Sequence, residues 1–202
     1  MGVREIAQAA GVNLSTASYY FGGKAGLLAA IIDEANTRCT RILAEAGDDS
    51  TPAEEHVRRM AHALVRFFRE NTELALVGFD AFPPADDANI VAHRVKWAQA
   101  IDARLTGLYR KLGLDVNDPV QMGVVLHSLP MTVMTFFESI FAVEQCGASS
   151  GRAARARRLD DAFFEHYAEH LTELFLYGVT GMMAMSQGQS SAVPANPKPK
   201  RR

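Results

Sequence analysis

The stretch IAQAAGVNLSTASYYFGGKAGLL, residues 6–28, decides the fold of the N-terminal region. It predicts a short helix, a turn at Gly11 and a second short helix. In a helix-turn-helix the two helices cross closely, so the first carries a small residue at the crossing. Four positions later, the turn carries a residue that tolerates positive φ. Ala7 and Gly11 meet these two requirements. The small apolar core of this motif is predicted to consist of Ile6, Ala10, Val12 and Ala17.

The second helix is predicted to expose hydroxyl, amide and phenol groups that can reach base edges and phosphates in a major groove. Lys24 then opens the next helix, whose N-terminal partial charge favours a phosphate. The candidate DNA-binding residues are Asn13, Ser15, Thr16, Ser18, Tyr19, Tyr20 and Lys24. Double-stranded DNA is therefore the predicted partner, although two amphipathic helices joined by any glycine share part of this pattern.

The string GVNLSTASYYFGGKAGLL, residues 11–28, closely resembles the recognition helix of the TetR family of transcriptional repressors. In that family a Gly-Val turn leads to an ending like Tyr-x-Phe-x-x-Lys-x-x-Leu-Leu. The matching residues are Gly11, Val12, Thr16, Tyr19, Tyr20, Phe21, Lys24, Leu27 and Leu28. Two residues depart from the family pattern, because Ser18 stands where many members have an aromatic and Tyr20 where histidine is frequent. Beyond Leu28 the resemblance is one of architecture only.

The resemblance implies a further helix before this motif, which would pack across both short helices. The sequence given starts where the second helix of the family would start, so we expect an N-terminally short head. Without that cover, Ile6, Ala10, Tyr20 and Phe21 would be less well buried. The family also implies a repressor that a small molecule releases from its operator. The alternative is a ligand-binding and dimerisation module with an incomplete DNA-binding head.

Apolar residues at helical spacing predict an all-α fold for the rest of the chain. Helices are expected at residues 24–46, from Pro52 to Asn71, at 89–112, from Pro119 to Gln145 and from Leu159 to about Met185. At the start of the second of these, Thr51 can cap the helix and Pro52 suits its first position. We predict a DNA-binding head at 1–28, a ligand-binding and dimerisation domain at 29–185 and a disordered basic tail at 186–202.

Two further groups of residues follow from the family's ligand-binding and dimerising domain. A small apolar or aromatic effector is expected in a pocket among Phe68, Phe79, His93, Trp97, His127, Met131 and Met134. For each of them, ordinary core packing is the alternative. A homodimer interface is expected on the last two long helices, at Phe136, Phe141, Phe163, Tyr167, Leu171 and Leu174. Two subunits would place two heads on two half-sites of one duplex.

Composition limits the other classes of function. The net charge is −2, so any DNA contact comes from a local surface. We find no apolar run that approaches the about 20 residues of a membrane span and no signal peptide, so the chain is expected to be cytoplasmic. Cys39 and Cys146 lie too far apart in sequence for a typical zinc site and are expected to be buried.

No catalytic residues, metal or cofactor are predicted. The one pattern typical of an enzyme is His166-Tyr-Ala-Glu169-His170, a spacing that some zinc peptidases use. A polar stripe on the last helix is the favoured interpretation, since we find no further ligand for a catalytic zinc site.

Overall fold

The computed structural model describes residues 3–79, 88–145 and 159–190. Inside these ranges a few side chains, including those of Phe79 and His127, lie outside the description. The regular structure of the described residues is entirely helical, which confirms the all-α prediction. The helices are α1 Val3–Ala9, α2 Leu14–Phe21, α3 Lys24–Ala46, α4 Ala53–Glu70, α5 Thr72–Phe79, α6 Ala88–Lys111, α7 Pro119–Gln145 and α8 Asp161–Ser190. Helix α8 thus continues to Ser190, beyond the expected end near Met185.

The turn between α1 and α2 has the geometry that the sequence predicts. Gly11 has a φ of +67°, a conformation that L side chains rarely adopt. Its N–H donates to the carbonyl of Gln8 at 3.2 Å, and the N–H of Val12 donates to that of Ala7 at 2.9 Å. These are the two hydrogen bonds of a Schellman C-cap, which ends α1 and redirects the chain into α2. Ala7 is buried, as expected at the crossing.

The start of α4 differs from the prediction. Pro52 is the N-cap residue rather than the first helical residue. The Thr51 hydroxyl does not cap the helix but accepts from the backbone N–H of Asp48 at 3.2 Å. The Asp48 carboxylate accepts from the N–H and hydroxyl of Ser50, and these hydrogen bonds hold its pKa at about 2. The loop therefore closes on Asp48 before the helix begins, which draws Thr51 away from the capping position.

Helix α4 is the centre of the body and packs against α3, α5, α6, α7 and α8. Phe67 and Phe68 are fully buried on it, and the ring of Phe68 lies 5.7 Å from that of Phe137 on α7. Burying each large apolar side chain contributes about 1.5–3 kcal/mol, so α4 organises most of the core. Helix α3 connects the head directly to this core, because its first residue follows α2 and its later turns pack on α4, α5 and α6.

Helix α7 corrects one expectation from composition. Its segment Pro119–Ala142 is long and apolar enough to cross a membrane by length and mean hydropathy, 1.4. The same helix packs against α4, α5 and α8, and 29% of its apolar window is buried inside the subunit. The prediction that no apolar run approaches membrane length was therefore wrong for α7.

Candidate nucleic-acid interface

Helix α2 lies between α1 and α3 and presents an outer face built from its polar residues. All seven candidate DNA-binding side chains are exposed. Tyr19 and Tyr20 are 85% and 74% exposed, and their rings meet edge to face at 5.6 Å. Exposed phenols and hydroxyls on one short helix form a surface that can contact phosphates and base edges. We call the exposed side chains of α2 together with Lys24 the head face.

Two of the seven residues also form hydrogen bonds at the N-terminus of α2. Asn13 is the N-cap of α2, and its side-chain oxygen accepts from the backbone N–H of Ser15 at 2.9 Å. The hydroxyl of Ser15 donates to the same oxygen at 2.8 Å. These groups are therefore engaged in starting α2, and DNA contact by either residue stays a prediction.

Lys24 stands at the first position of α3, as the sequence predicts. The N-cap residue is Gly23, which offers no side-chain hydrogen bond to the first turn. A helix start without a capping side chain keeps backbone N–H groups available to an anion. Lys24 adds a full positive charge at the same place, so this corner of the head face fits a phosphate.

The predicted apolar core of the motif is only partly correct. Ala10 and Val12 are exposed, since the turn that contains them lies at the surface. The side chains of Ile6 and Ala17 lie outside the described residues. Phe21 is also exposed.

The seven expected pocket residues are not brought together around one described cavity. Phe68 and Met134 are buried in the core, while Trp97 and Met131 pack against it. His93 instead donates from Nδ1 to the Asp33 carboxylate on α3 at 2.6 Å. Phe79 and His127 lie outside the described side chains. For Phe68 and Met134, the structure agrees with the alternative interpretation, in which these residues are part of the packed core.

Some of the expected dimer residues pack within the subunit, and others are exposed at its surface. Phe136 stacks on Tyr167, with ring centroids 4.3 Å apart, and Phe163 lies 5.9 Å from Phe136. Phe141 is half-buried. Leu171 belongs to the core of the subunit instead of its surface, and it lines a groove together with residues of α7. Leu174 is 67% exposed and open to a partner.

Sequence reasoning missed three exposed apolar side chains on the same two helices. Val120 and Val124 on α7 and Tyr177 on α8 are all exposed. Val120 and Val124 are four residues apart, and Tyr177 follows Leu174 by three, so helical spacing could have found them. It did not, since α7 is apolar nearly all round and periodicity cannot separate its inner from its outer side. We call these three residues and Leu174 the α7–α8 face, of which Val124 and Leu174 line one groove between the two helices.

The pattern from His166 to His170 forms no zinc site. Glu169 accepts from His62 at 3.0 Å and from Arg58 at 3.3 Å, both on α4. The Nδ1 of His170 donates to the carbonyl of His166. Residues 3–79, 88–145 and 159–190 contain no group of three or more side chains that could hold a metal. Within this pattern, Glu169 thus docks α8 on α4.

Cys39 is buried, as predicted, and burial raises the pKa of its thiol to about 12. Such a thiol carries almost no reactive thiolate near neutral pH. Cys146 lies outside the described residues.

Comparisons with known proteins agree with this geometry. Residues 1–31 match the family model of bacterial regulatory proteins, tetR family. The fold is similar to the crystal structure of the TetR family transcriptional regulator PfmR from Thermus thermophilus. The identity is 21%, the match covers 88% of each chain and the TM-score is 0.55. No curated protein matches the chain.

The family model covers the head with its turn at Gly11 and Lys24, while the structural match extends the likeness over the helical body. The chain thus carries a head motif of the tetR family at residues 1–31, on a fold similar to that of a TetR family transcriptional regulator.

Proposed function

We propose that the chain is a TetR family regulator: a ligand-responsive repressor that binds operator DNA as a homodimer in the cytoplasm, without a cofactor and without catalysing a reaction. The observation that carries the proposal is the head face. There, the exposed polar side chains of α2 lie next to Lys24, at a start of α3 with no capping side chain. Phosphates would position the head, and Thr16, Ser18, Tyr19 and Tyr20 would contact the groove.

Homodimerisation is supported by the α7–α8 face. Val120, Val124, Leu174 and Tyr177 are large apolar side chains that no other described element covers. A groove between the same helices is lined by apolar residues and by Ser128, Thr132 and Gly178. An exposed apolar patch of this kind marks an association surface, and association through a two-fold axis would present two heads to two half-sites.

Release by a small apolar or aromatic effector is supported by the position of α3. This helix begins in the head and packs on α4, α5 and α6 in the body. A ligand that binds one arrangement of the body better than another would shift α3 and so change the spacing of the two heads. A compound that leaves DNA affinity unchanged is not the effector.

The test is DNA affinity measured by fluorescence anisotropy on DNA from upstream of the chain's own gene. We expect Lys24→Gln to weaken binding and to lower the slope of log affinity against log salt by about one. Lys96→Gln is the matched control, because Lys96 is an exposed lysine on α6, outside the head face. Equal effects of the two substitutions would overturn the assignment of Lys24.

The alternative is a sensing and dimerising module whose head does not bind DNA. It is favoured by the exposure of Val12 and Phe21, apolar side chains that a well-covered head would bury. It predicts a dimer that shows no salt-sensitive preference for any duplex.

A further inference from the structure

His62 on α4 lies between two carboxylates of α8. Its Nε2 is 3.0 Å from Oε1 of Glu169, and its Nδ1 is 3.2 Å from Oε2 of Glu165. The two glutamates are four residues apart, so they lie on the same side of α8. The side chain of His62 is 28% exposed, and a carboxylate oxygen stands beside each of its two ring nitrogens.

Only the charged form of this ring is attracted to both glutamates. A neutral imidazole carries one N–H, which donates to one carboxylate, while the lone pair of the other nitrogen then faces an acceptor. The imidazolium carries an N–H on each nitrogen and attracts both carboxylates. Histidine is also the side chain that commonly changes charge between pH 5 and pH 8. The contact between α4 and α8 at this point therefore depends on the second proton of His62.

The two glutamates are held to different degrees. Glu169 also accepts from Nε of Arg58 at 3.3 Å, and the hydrogen bonds from His62 and Arg58 lower the pKa of its carboxyl. Glu165 is 72% exposed, and within the described ranges its ion pair is with His62. When His62 is neutral and donates to Glu169, the side chain of Glu165 is thus free to turn towards water.

The other charged groups around His62 are engaged elsewhere or lie along the groove that His62 lines. Arg59 pairs with Glu55 at 2.7 Å, and Arg69 pairs with Asp161. Further charged residues line the same groove between α3, α4 and α8, namely Glu45, Arg66 and Glu70. Among the described residues, the ion pairs of His62 go to the two carboxylates of α8.

We propose that His62, Glu165 and Glu169 form a proton-controlled clamp, which holds the first half of α8 more tightly to α4 when His62 is protonated than when it is neutral. We call these three residues the His62 clamp. Buried residues such as Ala168 and Leu171 also pack α8 into the core, so the clamp adjusts this docking and does not create it. Helix α8 carries Leu174 of the α7–α8 face, and any effect of the clamp on dimerisation, but not the clamp itself, rests on the proposed function.

The experiment measures amide hydrogen exchange of residues 161–172 in the full chain at pH 6 and pH 8 by mass spectrometry. Each variant is compared with the unmodified chain at the same pH, after correction for intrinsic exchange rates, so that the contributions of other histidines, including His56, cancel. His62→Gln keeps an amide donor for one carboxylate but cannot become a cation. We expect it to lower protection about fivefold at pH 6, the range for a partly exposed charged contact, and to change it little at pH 8.

Two matched controls separate the clamp from a general effect of substitution. Glu165→Gln should lower protection at pH 6 and not at pH 8, whereas Glu173→Gln, which changes an exposed glutamate of α8 outside the groove, should lower it at neither pH. His166→Gln, which changes an exposed histidine of the same helix, should also have no effect. Residues 88–111 of α6 serve as the internal control, because exchange there reports opening of the body as a whole.

The proposal is overturned if His62→Gln lowers protection equally at the two pH values, since His62 would then be an ordinary packing contact. It is also overturned if His62→Gln behaves as His166→Gln does, or if Glu165→Gln behaves as Glu173→Gln does. A loss in residues 88–111 as large as that in residues 161–172 would contradict it as well, because the substitution would then act on global unfolding.

Discussion

At the scale of the residue, the closest constraint lies at the junction of head and body. A Cβ added to Gly26 would stand 1.7 Å from the carbonyl oxygen of Phe21, a backbone atom that cannot move without displacing the end of α2. Gly26 therefore lets α3 approach α2 and fixes the position of the head face.

We predict that Gly26→Ala loses most of the DNA affinity and leaves the unfolding of the body nearly unchanged. Gly123→Ala is the control, because it also adds a Cβ within a helix but meets nothing within 4 Å, and it should gain up to about 1 kcal/mol of stability. The measurements are anisotropy for DNA and urea unfolding for the body. Unimpaired DNA binding by Gly26→Ala would show that the junction tolerates displacement.

His56 predicts how stability depends on pH. Its pKa in the folded chain is lower than its usual value near 6.5, first because of burial and then because of Lys111 and Arg104. As the pH falls below about 6.5, His56 binds a proton in the unfolded chain but stays neutral in the folded chain. Protonation therefore favours the unfolded state, and the free energy of unfolding decreases as the pH falls below neutral. Urea unfolding in chloride buffers between pH 8 and pH 5 measures this, and His56→Leu should flatten the curve. A curve of the same slope in both proteins would assign the effect to other groups.

At the scale of the element, α6 is attached to α3 near its start and to the loop after α3 at its end. Near its start His93 donates to Asp33 on α3, and at its last residue Lys111 donates to three carbonyls of the loop after α3. The lysine contact is the more extensive, because one ammonium group satisfies carbonyls of Asp48, Asp49 and Thr51 together.

Lys111→Met is expected to lower the free energy of unfolding by about 1–2 kcal/mol, the range for hydrogen bonds to a charged group near the surface. Lys96→Met on the same helix should change it by less than about 0.5 kcal/mol, since Lys96 is exposed and has no contact of this kind. Chemical unfolding measures the free energy of unfolding of both variants. Equal decreases in the two variants would mean that the stability of α6 depends on helix propensity rather than on this attachment.

The helices were largely predictable from sequence, whereas the pairing between them was not. Apolar spacing predicted the bounds of α6 and α7 to within one residue. Periodicity failed where a helix is apolar on most sides, so it placed Leu171 on the surface and overlooked Val124. The link from His93 to Asp33 joins residues 60 positions apart, and no local pattern carries that information.

The head face was predictable for a different reason. The turn at Gly11, the crossing at Ala7 and the start of α3 at Lys24 depend on contacts within one short segment, where residue type and spacing decide the geometry. Capping by Asn13 was not foreseen, although Asn before a helix is the usual signal for it. The pocket was not predictable, because a core aromatic such as Phe68 and a ligand-contacting aromatic look the same in a sequence.

At the scale of the whole molecule, the α7–α8 face predicts the oligomeric state. Val124 and Val95 are a matched pair of exposed valines, 54% and 49% exposed, but Val124 lies on α7 in that face and Val95 on α6. Val124→Arg should produce monomers, because it places a charge in an apolar contact, while Val95→Arg should leave the dimer intact. Sedimentation velocity distinguishes them, and a dimer that survives Val124→Arg would place the interface elsewhere.

The central claim is that the head face reads DNA. The measurement that tests it most directly is anisotropy of the unmodified chain on DNA from upstream of its own gene, at low and moderate salt, with unlabelled unrelated duplex as competitor. The account predicts tight binding by two chains per site that weakens steeply with salt and resists the competitor. Binding that the competitor removes completely, or no binding at all, would contradict it and leave a sensing and dimerising module.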